Sequence, residues 1–188
     1  MTPLRKTAAI VTVALASTAC GDDLGLGTWV IAPDTALIYS ISRPELLGQP
    51  SAYDFVQLRR VVIESPGATG LWDVALAEQD GEFVFIPASA FPGIESRTGL
   101  SLTTNTSLES LTRAPGDTSA YRSVPVTLQE GGIYVIRTRT EACPGFGSGS
   151  RYGKFEVLSL EPAIGAVRIV AIRNPLCSDR NLVPPDNN

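Results

Sequence analysis

The sequence predicts an all-β protein, an antiparallel β-sandwich with one or two short helices. Three observations predict it. The last third is built of β-branched, aromatic-bearing runs separated by turn residues. Residues 71–77 (LWDVALA) alternate in polarity and lead through an Asp-Gly turn into a second apolar run, the pattern of a hairpin. Helical signals are confined to two short stretches. At 188 residues, 44 % hydrophobic and 18 % charged, the composition is that of a folded chain of one domain.

The elements follow in order. Residues 8–19 (AAIVTVALASTA) carry no charge and follow Arg5 and Lys6. As a helix they would span roughly 18 Å, too short for a hydrocarbon core of about 30 Å. A basic start, a short apolar centre and small residues before a break predict a secretory signal over 1–19. Residues 20–32 open on a Gly- and Asp-rich stretch and read as a tether. A single β-rich domain is expected over 33–178, and a polar, proline-broken tail over 179–188.

Within the domain, residues 36–41 (ALIYSI) predict a strand. Ser42 and Glu45 have capping-box spacing, with Pro44 early and Gly48 as a stop, so a turn or two of helix is expected. Residues 57–64 and 71–77 predict strands. Trp72, Val74 and Leu76 should face inward and Asp73 outward. Gln79-Asp80-Gly81-Glu82 is the turn before a strand at 83–86. The stretch 91–124 is the least regular, with a short helix expected at 106–113. Strands at 132–139, 152–160 and 166–173 should form a meander, with a long loop over 140–151. The expected core includes Trp72, Val74, Leu76, Phe83, Phe85 and Val135.

The chain has no histidine and a single methionine, Met1. Histidine acid–base catalysis, His-containing triads and His-ligated metals are therefore closed to it. Ser17-Thr18-Ala19-Cys20 resembles the bacterial lipoprotein signal, with Ser17 where that signal usually has Leu. The resemblance implies that Cys20 becomes the first mature residue and carries acyl chains, palmitate among them. Ordinary cleavage near Ala19 with a free Cys20 is the alternative. Gly21, rather than Asp, follows the cysteine, which in such proteins favours the outer membrane. Several acyl chains on one cysteine anchor stably. Loss of the signal removes two of the 15 basic groups and none of the 19 acidic ones, moving the net charge from −4 to −6. Such a chain, with Lys154 as its last lysine, is a poor partner for nucleic acid or for anionic lipid surfaces.

Cys143 and Cys177 then remain as an even pair in an oxidising compartment, which suggests a disulfide; two independent thiols are the alternative. In a three-stranded meander the first and third strands run the same way. Cys143 follows one and Cys177 the other, so both lie at the same end of the sheet.

Tyr53-Asp54-Phe55, Leu71-Trp72-Asp73-Val74-Ala75, Tyr134-Val135-Ile136-Arg137-Thr138 and Tyr152-Gly153-Lys154-Phe155-Glu156-Val157 together resemble the HmuY-like lipoproteins, β-rich haem-binding proteins of bacterial surfaces. The resemblance implies an antiparallel β fold tethered to an outer membrane. Haem does not carry over. Members that bind it use paired His or, in some cases, Met, and no residue here matches a ligand position. Tyrosine ligates ferric haem elsewhere, yet Tyr39, Tyr53, Tyr121, Tyr134 and Tyr152 are expected in or beside sheets. No cofactor and no metal are expected.

Arg137 and Arg139 share parity on one strand, so both should project from one face as a possible anion-binding pair, with Arg151 or Arg168 nearby. A solvated row paired with Glu141 or Glu156 is the alternative reading. Residues 145–149 (GFGSG) lack the Lys-Ser/Thr end of a phosphate loop and read as a flexible tip braced by Cys143. Trp72 and Asp73 read as core and surface rather than as a carbohydrate platform. No catalytic residue is singled out among the acids. The leading expectation is a non-catalytic envelope lipoprotein that binds a ligand or partner. The alternatives are a structural lipoprotein without a small-molecule site and a hydrolase using two carboxylates about 5–9 Å apart in a cleft.

Overall fold

A computed structural model describes residue 29 and residues 32–104, 106–145 and 147–185. The leader, most of the tether and Cys20 lie outside the described residues. Two five-stranded antiparallel sheets face each other. The first holds, in spatial order, β1 (Asp34–Tyr39), β10 (Ala166–Arg173), β9 (Gly147–Glu161), β8 (Ile133–Cys143) and β6 (Gly99–Thr103). The second holds β3 (Arg59–Val61), β2 (Ala52–Asp54), β4 (Val74–Gln79), β5 (Glu82–Pro87) and β7 (Val126–Thr127). The fold is the all-β sandwich that the sequence predicts. Among the described residues no helix is long and apolar enough to cross a membrane.

Strand alternation builds the layers. On β8, Tyr134 and Ile136 point between the sheets; on β9, Phe155 and Val157 do so. Phe155 stacks on Tyr134 at 5.0 Å and meets Phe85 at 5.5 Å and Phe55 at 5.4 Å between ring centres. Val74, Leu76, Phe83 and Phe85 complete this middle from the second sheet. The Asp80-Gly81 turn joins β4 to β5 with both residues at positive φ, the geometry a two-residue hairpin requires.

Both outer faces are also covered. Val135 is buried on the outside of the first sheet, under Tyr121, Ala114 and Leu182. Trp72 packs outside the second sheet with Ala52, Ala75 and Ala88, edge-on to Phe91 at 4.9 Å. Trp72 and Val135 are thus core residues of the covering layers rather than of the inter-sheet middle. The alternation expected through 72–74 fails because β4 pairing starts only at Val74. Asp73 sits in a bend before it and is fully buried, not outward-facing.

Other departures have local causes. The expected strand at 57–64 shrinks to Arg59–Val61 because the Asp54 carboxylate accepts the N–H groups of Val56 (3.0 Å) and Gln57 (3.2 Å) and turns the chain first. The capping box does not form. Ser42 spends its hydroxyl on the backbone of Glu78, and a single 3₁₀ turn spans Pro44–Leu46. At 106–113, the hydroxyls of Ser107 and Ser110 bond each other and each other's backbone, which leaves a turn instead of a helix. Two further 3₁₀ turns span Ala88–Ala90 and Thr118–Ala120. The loop expected at 140–151 is mostly ladder, since Thr140 to Cys143 pair with Ser150 to Gly147. The tail begins as structure. Ala114 donates its N–H to the Arg180 carbonyl, Leu182 donates to Thr112, and Leu182 is 1 % exposed.

Candidate functional site

The site grows from one irregularity. Arg137 pairs with Tyr152, but Thr140 pairs with Ser150, so β8 carries one residue more than β9 across this step. A bulge of this kind reverses which face the following side chain takes. Arg137 keeps the outward parity of Val135, while Arg139 turns inward between the sheets. The sequence expectation that the two arginines share a face is therefore corrected, and the bulge is the cause.

Inside, Arg139 lies in an ion network whose two aspartates are fully buried and whose outer members reach solvent. Its Nη1 donates to Asp54 Oδ1 at 2.8 Å and to Asp73 Oδ2 at 3.3 Å, and its Nη2 donates to Glu141 Oε1 at 2.8 Å. Asp73 also accepts the N–H groups of Arg139 and Phe55, each at 2.8 Å, and the Thr98 hydroxyl at 3.3 Å. Asp54 takes Arg59 Nε at 3.1 Å. Glu141 holds Arg151 Nη1 at 2.8 Å, so the network reaches β9. Arg151 and Glu141 thus join Arg139 as the sequence allowed. Arg168 instead pairs with Glu161.

Burial pushes the Asp73 carboxyl up to about 6, against the pull of the Arg139 charge and of two backbone N–H groups. Burial drags on the Arg139 guanidinium, but its bond to Asp54 and the nearby carboxylates hold it above the ordinary arginine value. Arg173 is pulled below that value, first by burial and then by Arg151; its Nε is buried without a hydrogen-bond partner among the described residues.

Outside, the other arginine faces a cleft of about 360 Å³. Arg137 Nε donates to the Arg97 carbonyl at 2.9 Å, and its guanidinium lies 5.1 Å from the centre of the Tyr121 ring. Arg97 lines the cleft as well. The hydroxyls of Thr118, Thr140, Ser148, Ser150 and Ser178 line the rest, with Tyr152 and Gly149. Among the described residues no acidic and no aliphatic side chain lines it. A second cavity of about 410 Å³, which includes Ile94 and Glu95, shares Arg97 and Thr140 with it.

The disulfide braces this cleft. Cys143 and Cys177 are bonded, with Cα atoms 5.9 Å apart, as the sequence suggested. Ser178 donates its backbone N–H to Ser150 at 2.8 Å. Gly149 passes so close that a Cβ there would meet Ser178 Oγ at 2.5 Å and Cys143 Sγ at 3.1 Å. Ser148 and Gly149, from the stretch read as a flexible tip, are therefore part of one wall, and a side chain at Gly149 would have to push the Ser178 hydroxyl aside.

Sequence reasoning missed Arg97 and Thr118, which lie in the irregular stretch and carry no periodicity. It also missed the inward role of Asp54 and Asp73, although both sit in segments that carry the family resemblance. The two acids share Arg139 but are buried away from the cleft, so they do not form the solvent-facing pair that glycoside hydrolysis needs. Tyr53, Tyr121 and Tyr134 donate their hydroxyls to Asp34, Pro115 and Thr127, and burial raises each phenol above its ordinary value. Among the described residues no group of three or more Cys, Asp or Glu side chains converges as metal ligands. No protein-family model matches the chain, and none of the curated proteins matches it in sequence.

Proposed function

We propose that this chain is an exported, lipid-anchored cell-envelope protein of HmuY-like type that binds a ligand without transforming it. The charge-free run at 8–19 behind Arg5 and Lys6 supports export. The Cys143–Cys177 disulfide supports an oxidising destination. Cys20 is the anchor, and Gly21 after it favours the outer membrane. The ligand is neither haem nor nucleic acid on this reading.

The observation that carries binding is the cleft between Arg97 and Arg137. Arg97 and Arg137 line the concavity with five serine and threonine residues and no acid among the described residues, on a chain that is acidic as a whole. Unneutralised arginine in a concave site is the recurring way to hold a carboxylate or phosphate.

The test is expression of the full chain and of Cys20→Ala in a diderm bacterium with labelled palmitate. Acylated Cys20 at the N-terminus, sedimenting with outer membranes, is expected. Unmodified chain in the soluble envelope fraction overturns the anchor.

A further inference from the structure

We infer that the cleft takes the acidic unit of a saccharide, a hexuronate, and that its ligand extends past one ring. This deepens the binding reading above and rests on it.

Arg137 is held at two places and free at a third. Its Nε is used on the Arg97 carbonyl and its face on Tyr121. Its two terminal nitrogens have no hydrogen-bond partner among the described residues. A guanidinium fixed at Nε and at one face presents the remaining fork in one orientation, which suits the planar carboxylate. Arg97, whose guanidinium also has no partner among the described residues, lines the same cleft and brings a second positive charge to it.

Hydroxyls decide the remainder of the ligand. Thr118, Ser148 and Ser178 come from three separate segments and converge on one cavity. Each both donates and accepts, which matches the hydroxyl groups of a sugar and offers nothing to an apolar molecule. Tyr152 supplies an aromatic side chain beside them. At about 360 Å³ the cleft lies at the small end of the range of roughly 300–1,000 Å³ for small-molecule sites. The adjoining cavity shares Arg97 and Thr140, so a ligand seated on the fork has room for a neighbouring unit.

The test is amide NMR titration of the purified chain with galacturonate, digalacturonate, glucose and inorganic phosphate. Saturable shifts at 148–150 and at Thr118 are expected with both uronates, tighter with the dimer, and none with glucose. Arg137→Gln should weaken binding about tenfold or more, because a charged hydrogen-bond partner is lost. Thr118→Val, a substitution at an exposed position, should weaken galacturonate more than phosphate. Cleft shifts with phosphate or glucose as strong as with uronate overturn the uronate assignment and leave the binding reading standing. Silence of the cleft amides toward all four probes overturns both.

Discussion

The space between the two sheets has an apolar middle and a polar end, and they are stabilised on different terms. The middle, around Phe155, is held by area removed from water and by ring packing, neither of which depends on pH or on one particular atom. The polar end, around Arg139, is held by a few charge-assisted bonds between groups that are expensive to bury. That contrast sets where this protein tolerates change. The middle accepts another apolar side chain of similar size, whereas the polar end accepts almost nothing in place of arginine.

The sharpest break is therefore Arg139→Met set beside Phe155→Leu. Removing Arg139 leaves Asp54 and Asp73 buried without their counter-charge and should cost about 3–5 kcal/mol. Phe155→Leu trims an aromatic ring to an aliphatic group and should cost about 1–2 kcal/mol. Urea denaturation of both variants reads the pair. Equal losses would erase the distinction.

Next in size is the disulfide, which closes the polar end on the outside. Its two cysteines lie 34 residues apart, and the chain-entropy account gives about 3–4 kcal/mol for a loop of that length. The double variant Cys143→Ala, Cys177→Ala should lose that much. Hydrogen exchange should also quicken at Ser178, whose N–H bonds Ser150 across the braced wall, before it quickens at Phe155. Simultaneous loss at both places would show that the bridge stabilises the whole sandwich without favouring its polar end.

The same contrast explains what the sequence could reveal. The middle was legible in part: alternation marked Val74, Leu76, Phe83 and Phe85, and β10 runs from end to end at Ala166–Arg173 as expected, but on β8 the expected core residue Val135 has the outward parity, and Tyr134 and Ile136 fill the middle instead. The meander made the Cys143–Cys177 bridge legible as well, since strand direction alone places both cysteines at one end. The polar end was not legible in the same way. Parity counting puts Arg137 and Arg139 on one face, and a single extra residue in β8 separates them. Asp73 looked exposed because the polarity pattern of 71–77 runs through it, whereas the strand itself begins one residue later. Hydroxyl-rich stretches failed for a related reason. The ladder at 140–150 uses backbone groups that every residue type supplies, and the serines at 107 and 110 compete for the backbone that a helix would need. Arg97 reaches the cleft from a segment with no period at all, so nothing local marks it.

The third effect is a pH dependence that only the polar end should show. In the fold the Asp73 carboxyl titrates near 6, against an ordinary value of 3.8. Between about pH 4 and 6 the folded chain keeps a proton that the unfolded chain has released. This group's contribution is therefore most favourable below pH 4, falls as pH rises through the window, and is level above it. At about 1.4 kcal/mol per pKa unit the drop is roughly 3 kcal/mol. Asp73→Asn should abolish it. Unfolding free energies of both chains at pH 4, 5, 6 and 7 give the difference directly and cancel the other carboxylates. A difference that does not change with pH would mean that Asp73 is ionised throughout, with Arg139 outweighing its burial.

The smallest effect locates the boundary between the network and the cleft. Glu141 bridges Arg139 and Arg151 at 2.8 Å each, but its side chain remains 26 % exposed. Water screens a pair in that position, so Glu141→Gln should cost no more than about 1 kcal/mol globally. Its local consequence should be larger in kind. Glu141 lies directly after the bulge, where β8 changes face, and its two arginines come from β8 and β9. Loosening it frees the step that separates Arg137 from Arg139. The amides of Thr140 and Ser150 should then exchange faster while the urea midpoint scarcely moves. Were the midpoint to fall as far as it does in Arg139→Met, Glu141 would belong to the sealed interior, and the cleft wall would share in the stability of the core.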